Sequence, residues 1–244
     1  MNLSVEMRVP GGRPLQGMFM AVPPRYDLIN RLITWGRDDG WRLRAARECL
    51  SSGPERVLDL CCGTGKLGMK VAGIAGDRVQ TVAIDYSLPM LKLAVAQARG
   101  ASRGDRLSFI DGDAAALPFP DACFDCVGIS FAFRNLTYRN PLTVRYLAEV
   151  VRILRPGGRF VIVESSQPAL WPVRRLFHLY LRGLVFRLGH LLSGNRGAYR
   201  YLAESAARFS TPDELRQLLI SSGVRQFHSR PLMFGTVGLH VAVK

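Results

Sequence analysis

Short apolar runs alternate along the chain with amphipathic stretches, and this alternation predicts strands and helices in turn. The predicted helices begin after Thr64 and cover residues 87–99 and 142–154. The predicted strands are 56–61, 79–84, 107–111, 123–133 and 159–165. Because buried strands separated by helices pair in parallel, the pattern predicts an α/β, Rossmann-like fold with helices on both faces of the sheet.

Both ends of the chain depart from this alternation. Residues 24–50 have helical spacing, interrupted by two glycines, and predict two short helices. A helix over 213–223 precedes two short strands near 226–232 and 236–243, which predicts an antiparallel edge hairpin on a mostly parallel sheet of seven strands. No linker divides the chain, so we expect a single domain. Its predicted parts are an N-terminal helical cap (1–50), a core (51–165), a helical, Arg-rich insertion (166–210) and a closing helix with two strands (211–244).

The charge of the chain indicates an anionic partner. The net charge is +14, and 29 of the 33 basic residues are arginine. Such a field attracts nucleic acid or an anionic membrane surface. The first twenty residues lack the continuous apolar run of a secretory signal, and the cysteines number five, which is odd. We therefore expect reduced thiols and a cytoplasmic setting.

Candidate chemistry begins at residues 57–70, VLDLCCGTGKLGMK. Gly63, Gly65 and Gly68 spell G-x-G-x-x-G after a predicted strand, a pattern that suits a nucleotide phosphate or a smaller cofactor. A triphosphate loop needs glycine at position 60 and a hydroxyl at position 67, and both positions are leucine. The sequence therefore excludes a triphosphate loop and leaves a dinucleotide or S-adenosylmethionine.

The sign of the charge separates the two remaining cofactors. Asp59 lies near the carboxyl end of the first predicted strand, where it would repel a pyrophosphate and attract the ammonium and sulfonium groups of S-adenosylmethionine. The glycines of the turn leave room for the amino-acid end of that cofactor. Asp85 suits ribose hydroxyls in either case, whereas Asp113 with the small Ala114 suits an adenine amino group. The sequence therefore favours the methyl donor.

Seven segments of the chain form a distinctive set, namely RYDLIN (25–30), VLDLCCGTG (57–65), GDAAALPFPDACFD (112–125), SFAFRN (130–135), EVVRILRPGGRF (149–160), YRYLAESAARF (199–209) and TVGLHVAVK (236–244). They resemble segments of the ubiquinone/menaquinone biosynthesis C-methyltransferases, a family of class I methyltransferases. The resemblance runs from about Phe19 to the end of the chain, and the block from Ala115 through Asn135, with the YRYLAES segment, is specific to that family.

This resemblance implies a reaction and a site. It implies S-adenosylmethionine as the cofactor and a prenylated quinol as the substrate, methylated at a ring carbon. The residues that it places at the substrate are Tyr26, Arg134 and Asn135. The candidate cofactor residues, from the resemblance or from the glycine turn, are Asp59, Gly63, Thr64, Gly65, Asp85, Asp113, Ala114 and Ser130.

Lys66 departs from the pattern of that family, which has aspartate at this position. A lysine there puts a cation beside a cationic ligand. We expect its side chain to point to solvent from the first turn of the helix. Cys62 and Ala132 also depart from the pattern, but both are small enough to fit.

Methylation of a ring carbon requires an electron-rich ring, so the reduced quinol is the expected substrate rather than the quinone. Arg134 is a permanent cation suited to stabilising the phenolate that forms. A water molecule oriented by Asn135 and Tyr26 would relay the hydroxyl proton, with Asp27 and His178 as alternative acceptors.

The insertion has seven arginines and one glutamate over residues 171–208. Its apolar stretch from Leu170 to Leu192 is about long enough to span a bilayer, but arginines interrupt it. We therefore expect peripheral contact with an anionic membrane at its inner face, the alternative being a lid helix that packs on the sheet. On a helical wheel Arg174, Arg175, His178 and Arg182 share one side, with Trp171, Phe177 and Leu181 elsewhere and a bend near Gly183.

The sequence also bears on nucleic-acid substrates, metal ions and oligomers. A methyltransferase acting on nucleic acid, or on another small molecule, is the rival hypothesis, because it would use the same cofactor fold. The sequence contains no aromatic-polar tetrad of the N-methylating type and no appended binding module, so we expect no nucleic-acid substrate. Cys123 and Cys126 have no further ligands at suitable spacing, so we expect no metal. The pattern is compatible with a homo-oligomer.

Overall fold

A computed structural model describes residues 26–100, 106–187, 191 and 196–244. These residues form one sheet whose seven strands are β1 (Arg56–Leu60), β2 (Gln80–Asp85), β3 (Leu107–Asp111), β4 (Phe124–Ser130), β5 (Leu154–Ser165), β6 (Gln226–Leu232) and β7 (Val237–Val243). The helices in the same ranges are α1 (Tyr26–Ile33), α2 (Asp38–Leu50), α3 (Lys66–Ala75), α4 (Leu88–Arg99), α5 (Phe133–Thr137), α6 (Thr143–Ile153), α7 (Trp171–Tyr180), α8 (Arg196–Ala207) and α9 (Pro212–Ser221). Residues 1–25 of the predicted helical cap lie outside the described ranges.

The strand order is β3-β2-β1-β4-β5-β7-β6. The first five strands in chain order pair in parallel, whereas β7 runs antiparallel to both β5 and β6. The order reverses between β1 and β4, and in such sheets ligands bind at the carboxyl ends of the strands near this reversal. The predicted fold class is therefore confirmed, including the antiparallel edge hairpin.

Several strand boundaries differ from the prediction, among them the ends of the first and fourth strands and the start of the fifth. The first strand ends at Leu60 because Cys61 turns into the left-handed region with φ 52°. The fourth ends at Ser130 because Phe131 does the same with φ 55°, and the residues after it form α5. The fifth strand begins at Leu154 rather than at residue 159. At these two left-handed turns the chain leaves the sheet. Both turns lie at the carboxyl ends of the strands, where the candidate site residues also lie.

Alternation along the central strands fills a core on each face of the sheet. In β5, Phe160 and Ile162 pack on the face that α6 and α9 cover, whereas Val161 and Val163 pack on the face that α2 and α3 cover. All four side chains are fully buried or nearly so. A strand buried on both faces explains the continuous apolar run in its sequence.

The helices after β5 form a third apolar cluster, outside the sheet. Leu181 and Val185 pack against Ala203, Ala206 and Ala207 of α8. The Tyr180 hydroxyl donates a hydrogen bond to the Ile33 carbonyl, which ties this layer to the end of α1. A π-helical turn at Leu181–Val185 supplies the irregularity predicted near Gly183. No helix within the described residues is long and apolar enough to cross a membrane.

Candidate active site

The glycine turn lies between β1 and α3, at the carboxyl edge of the sheet. The Gly63 amide donates to Asp85 Oδ2 at 2.8 Å, which joins the turn to the end of β2. The Gly68 amide donates to Asp59 Oδ2 at 2.7 Å, which joins the first turn of α3 back to β1. Two carboxylates therefore hold the turn through its own backbone donors.

Two glycines of the turn adopt positive φ, which side chains disfavour. Gly65 has φ 75°, and a Cβ there would lie 3.0 Å from a ring carbon of Phe109 and 3.2 Å from Ala94 Cβ. Gly63 has φ 55°, and a Cβ there would meet no atom within 4 Å. The space over Gly63 is therefore open to a ligand, whereas Gly65 lets the chain pass close to its neighbours.

Asp59 is a buried carboxylate with one unsatisfied oxygen. It is 2% exposed, and its Oδ1 atom has no hydrogen-bond partner within the described residues. Burial raises the pKa of Asp59 to about 7, and the Asp85 charge adds to the rise, while the Gly68 amide and Arg42 oppose it. A buried acceptor that is costly to ionise suits a cationic ligand, because such a ligand stabilises the carboxylate. The arrangement fits a cofactor with an ammonium group and does not fit a pyrophosphate.

Asp85 and Asp113 follow the next two strands outward. Asp85 accepts from the Ser87 amide at 2.8 Å as well as from Gly63, and burial raises its pKa. Asp113 accepts from the Ala115 amide at 3.0 Å, and Ala114 between them is buried. The structure thus brings Asp85 to the glycine turn and places the Asp113–Ala114 pair in the loop after β3.

Lys66 does not point freely to solvent, so that expectation is wrong. Its Nζ atom lies 3.2 Å from Asp27 Oδ1, and both side chains are only about one quarter exposed (26% and 28%). Asp27 also accepts from the Thr64 hydroxyl at 3.0 Å and from Gln97 Nε2 at 2.7 Å. Because Asp27 neutralises the lysine, the cation stands beside the cofactor turn without an uncompensated charge. Asp27 therefore has its carboxylate oxygens occupied by contacts beside the glycine turn.

Ser130 ends β4, and its hydroxyl accepts from Arg42 Nε at 3.4 Å. Arg42 is buried, pairs with Asp38 on the same helix and lies 5.1 Å from the centre of the Phe131 ring. Helix α2 thus supplies a buried cation beneath the strand ends. The sequence analysis missed Arg42, since nothing near it in the chain marks it as buried.

Arg134 lies in α5 and forms a buried ion pair with Glu164. Its Nη1 atom is 2.9 Å from Glu164 Oε1 and 3.2 Å from Ser165 Oγ, and the residues of the pair are 4% and 0% exposed. Glu164 also accepts from the Arg134 amide at 3.1 Å and from the Ser165 amide at 2.8 Å. The sequence analysis missed Glu164, although an acidic residue at the end of an apolar strand was a usable signal.

The remaining candidates lie on three different helices, α5, α1 and α7. Asn135 follows Arg134 in α5. Tyr26 is the first residue of α1, and its side chain is outside the described part of the structure. His178 Nε2 lies 3.0 Å from Gln167 Oε1, and burial, with the charges of Arg182 and Arg174, lowers the His178 pKa. The roles assigned to these residues stay predictions.

One prediction about α7 is wrong. Trp171 lines the same surface cavity as Arg174, Arg175, His178 and Arg182, rather than lying on another side of the helix. The reason is helical geometry, because positions three and four apart share a face. Phe177 and Leu181 do face away from this cavity and pack into the apolar cluster with α8.

The fold and the site together define a class. A mostly parallel sheet in this order, with a glycine turn and carboxylates at its strand ends, is that of a Rossmann-like class I methyltransferase. More narrowly, the chain belongs to the ubiE/COQ5 methyltransferase family, whose model matches residues 7–244. It is therefore a methyl-transferring enzyme.

Individual relatives agree with this membership. The chain is 42% identical over 233 residues to a demethylmenaquinone methyltransferase of Deinococcus radiodurans, covering 96% of this chain and 93% of that one. It is 34% identical over 233 residues to the ubiquinone/menaquinone biosynthesis C-methyltransferase UbiE of Geobacter sulfurreducens, covering 96% and 89%. A crystal structure of a SAM-dependent methyltransferase from Aquifex aeolicus has the same fold, with a TM-score of 0.57, 17% identity and coverage of 89% and 96%.

Proposed function

We propose that this enzyme transfers a methyl group from S-adenosylmethionine to a ring carbon of a prenylated quinol. The substrate is demethylmenaquinol or a related naphthoquinol or benzoquinol, and the reaction belongs to quinone biosynthesis. The observation that carries the cofactor assignment is the buried, unsatisfied Asp59 oxygen beneath an open glycine turn. The similarity to demethylmenaquinone methyltransferases over most of the chain supports the substrate.

The chemistry requires the reduced substrate. S-adenosylmethionine supplies an electrophilic methyl group bound to a positively charged sulfur. The quinol loses a hydroxyl proton, and its ring carbon forms a bond to the methyl carbon as the carbon–sulfur bond breaks. The proton on that ring carbon then leaves and the ring becomes aromatic again. A quinone has no electron pair to offer in this way, and so it does not react.

Different residues bind the cofactor and stabilise the charge that develops on the substrate. Asp59, Asp85 and the glycine turn bind the cofactor, with Asp113–Ala114 and Ser130 beside the same strand ends. Arg134 has its charge balanced by Glu164, which fixes the direction of the guanidinium. A fixed donor of this kind stabilises a developing phenolate better than a mobile one, since it needs no reorganisation during the reaction.

A substrate comparison tests the proposal. The purified protein is incubated with methyl-labelled S-adenosylmethionine and either demethylmenaquinol, kept reduced in detergent micelles, or bulk RNA and DNA. We expect label on the quinol and none on the nucleic acid. Label on nucleic acid alone would reject the quinol assignment and favour the rival substrate class. Label on neither would reject both.

We also propose that helix α7 contacts an anionic membrane, at the cytoplasmic face where a prenylated substrate is embedded. A surface cavity of about 420 Å³ lies on this helix. It is lined by Trp171, Arg174, Arg175, His178, Leu179 and Arg182. Leu170, Trp171, Leu176 and Leu179 are each more than 60% exposed. Exposed apolar groups beside arginines match the border between acyl chains and phosphate groups.

A second exposed apolar group lies beside the start of α7. The turn between β6 and β7 places Met233 and Phe234 at positive φ, 46° and 57°, and Phe234 is 83% exposed. Gly235 of this turn approaches Pro168, three residues before α7. An aromatic residue held in solvent by a disfavoured backbone conformation fits insertion into a lipid surface.

Vesicle sedimentation tests the membrane proposal. We expect binding to vesicles of phosphatidylglycerol and phosphatidylcholine that weakens with salt. Binding should fall at least tenfold in a variant with Arg174, Arg175 and Arg182 all changed to Gln, and less in Phe234→Ser. The control for the arginine variant changes Arg44, Arg47 and Arg216 to Gln, which removes the same charge elsewhere on the surface. The control for Phe234→Ser is Ile74→Ser, at an exposed apolar residue of α3. Binding that is absent, indifferent to salt, or equally reduced by the controls would contradict the proposal.

A further inference from the structure

Buried polar atoms without partners gather on the substrate side of the site. Within the described residues, Arg134 Nε, Asn135 Oδ1 and the Tyr201 hydroxyl are shielded from solvent and make no hydrogen bond. More than nine in ten buried polar groups in folded proteins have a partner, so unpaired ones call for an explanation. Two of these three atoms lie on α5, and the third comes from α8.

The packing of helix α8 places Tyr201 near Arg134. Ala203, Ala206 and Ala207 fix α8 against the residues that follow α7. The Tyr201 ring meets the Tyr138 ring edge-on at 6.4 Å between centroids, and Tyr138 directly follows α5. The charges of Arg134 and Glu164 both act on the Tyr201 hydroxyl. The phenol therefore lies in the electrostatic neighbourhood of the buried ion pair.

The protein itself does not satisfy this hydroxyl. Ser205 is near enough to influence Tyr201, but it makes no hydrogen bond of ordinary geometry to it. The Ser205 hydroxyl instead donates to the Leu202 carbonyl at 3.3 Å. Burial raises the pKa of Tyr201, so the phenol keeps its proton at neutral pH and can donate. Arg134 likewise keeps Nε free, because Nη1 is used on Glu164 and Ser165.

We propose that Tyr201 is a catalytic residue whose hydroxyl, together with Arg134 Nε, donates to the quinol oxygen that becomes negative during methyl transfer. This rests on the proposed function. In this proposal the two unpaired donors, which come from different helices, pair with one substrate oxygen. The free energy lost by leaving them unpaired is recovered when that oxygen accepts from both. Removal of one such donor in other enzymes lowers turnover by about 100- to 1000-fold.

Tyr201→Phe tests this role, because it removes only the unpaired hydroxyl. We expect kcat for demethylmenaquinol to fall about 100-fold, with the KM for S-adenosylmethionine unchanged. The thermal midpoint of the free enzyme should stay the same or rise, because a buried hydroxyl without a partner destabilises the folded state. This combination separates a catalytic role from a structural one, which would lower the thermal midpoint.

The control is Tyr199→Phe, a buried tyrosine two residues earlier on the same helix. We expect its kcat to stay within about threefold of the wild type. A Tyr201→Phe enzyme that keeps wild-type kcat, or whose loss of activity is matched by a loss of stability, would overturn the role. A wild-type enzyme that methylates no quinol would reject the proposed function and this role with it.

Discussion

The two halves of the site are built in different ways. On the cofactor side, carboxylates at the strand ends accept hydrogen bonds from backbone amides close by, as Asp85 does from Gly63 and Ser87. On the proposed substrate side, side chains from separate elements meet each other, as Arg134 meets Glu164, and donors stay unpaired within the described residues. The glycine turn is therefore held by hydrogen bonds of the free protein, with Asp59 Oδ1 left without a partner in the described residues, whereas the proposed substrate side needs an oxygen to pair its donors.

This difference separates stability from function. A backbone-bonded turn keeps its shape whether or not a ligand is present, so changes there act on both folding and cofactor binding. An unpaired donor contributes nothing to the folded state alone, so its removal acts on turnover without loss of stability. Substitutions on the two sides test this contrast.

Glu164→Gln should have the largest effect on stability, because it leaves the Arg134 guanidinium buried beside a neutral amide. Loss of one partner of a buried ion pair costs about 3–5 kcal/mol. Urea unfolding measures this loss. The control is Asp121→Asn, at an ion pair with Arg152 whose carboxylate is 77% exposed, where we expect a change under about 1 kcal/mol. Equal losses in the two variants would show that the buried pair has no special importance.

Alanine at the two glycines of the turn should separate folding from binding. Gly65→Ala adds both a clash with Phe109 and the strain of positive φ, so we expect the folded state to lose more than about 2 kcal/mol. Gly63→Ala adds only the strain, about 1–2 kcal/mol, but its methyl group occupies the open space of the turn. Calorimetry should therefore show a cofactor affinity lowered at least tenfold in Gly63→Ala. An unchanged affinity would place the cofactor elsewhere.

Cofactor affinity should depend on pH through Asp59. Burial raises its pKa to about 7, above its ordinary value of 3.8, so the folded protein holds this proton more tightly than the unfolded chain does. Its contribution to stability therefore falls as pH rises from about 4 to 7. A cationic ligand prefers the carboxylate, so the Kd for S-adenosylmethionine should fall about tenfold between pH 6 and 8.

The matched control for this pH dependence is Asp59→Asn. Its affinity should be weaker and nearly flat over the same range, although Arg42 and Asp85 still face the position. A wild-type Kd that does not change between pH 6 and 8 would contradict the assignment of Asp59 to the cofactor ammonium group.

Lys66→Ala should have the smallest effect. The lysine pairs with Asp27 at a partly exposed position, where an ion pair contributes under about 1 kcal/mol. Thr64 and Gln97 still hold Asp27 in the variant. We expect cofactor Kd to change by less than about threefold, measured by calorimetry at low and high salt. A larger change would show that the neighbouring cation tunes the cofactor site directly.

The sequence predicts the sheet and the glycine turn because both depend on local pattern. Strand and helix periods are set within a few residues, and the glycine turn directly follows a predicted strand. Its bond from Gly63 to Asp85 joins the ends of two strands that the alternating pattern predicts to pair in parallel. The pairing of Lys66 with Asp27, of Arg134 with Glu164 and of Tyr201 with α5 joins residues at least 30 positions apart. No local pattern encodes those contacts, so the solvent orientation of Lys66 was wrongly predicted and Glu164 was missed.

Helix α7 lies between these cases. Its arginines, its apolar length and its irregularity near Gly183 are local features, and the π-helical turn agrees with them. The position of Trp171 was wrongly predicted, because Trp171 precedes Arg174 and Arg175 by three and four residues and therefore shares their face of the helix. The exposed Phe234 could not be predicted, since its exposure depends on a turn geometry that the alternating pattern of a hairpin does not show.

The most direct test of the central claim is a methyl-transfer assay that compares one quinone in its two oxidation states. Purified enzyme and labelled S-adenosylmethionine are incubated without oxygen, with demethylmenaquinone either oxidised or chemically reduced, and mass spectrometry locates the label. We expect a labelled methyl on the ring carbon of the reduced form and none on the oxidised form. Equal labelling of both forms, or a methyl group on a quinol oxygen, would contradict the claim.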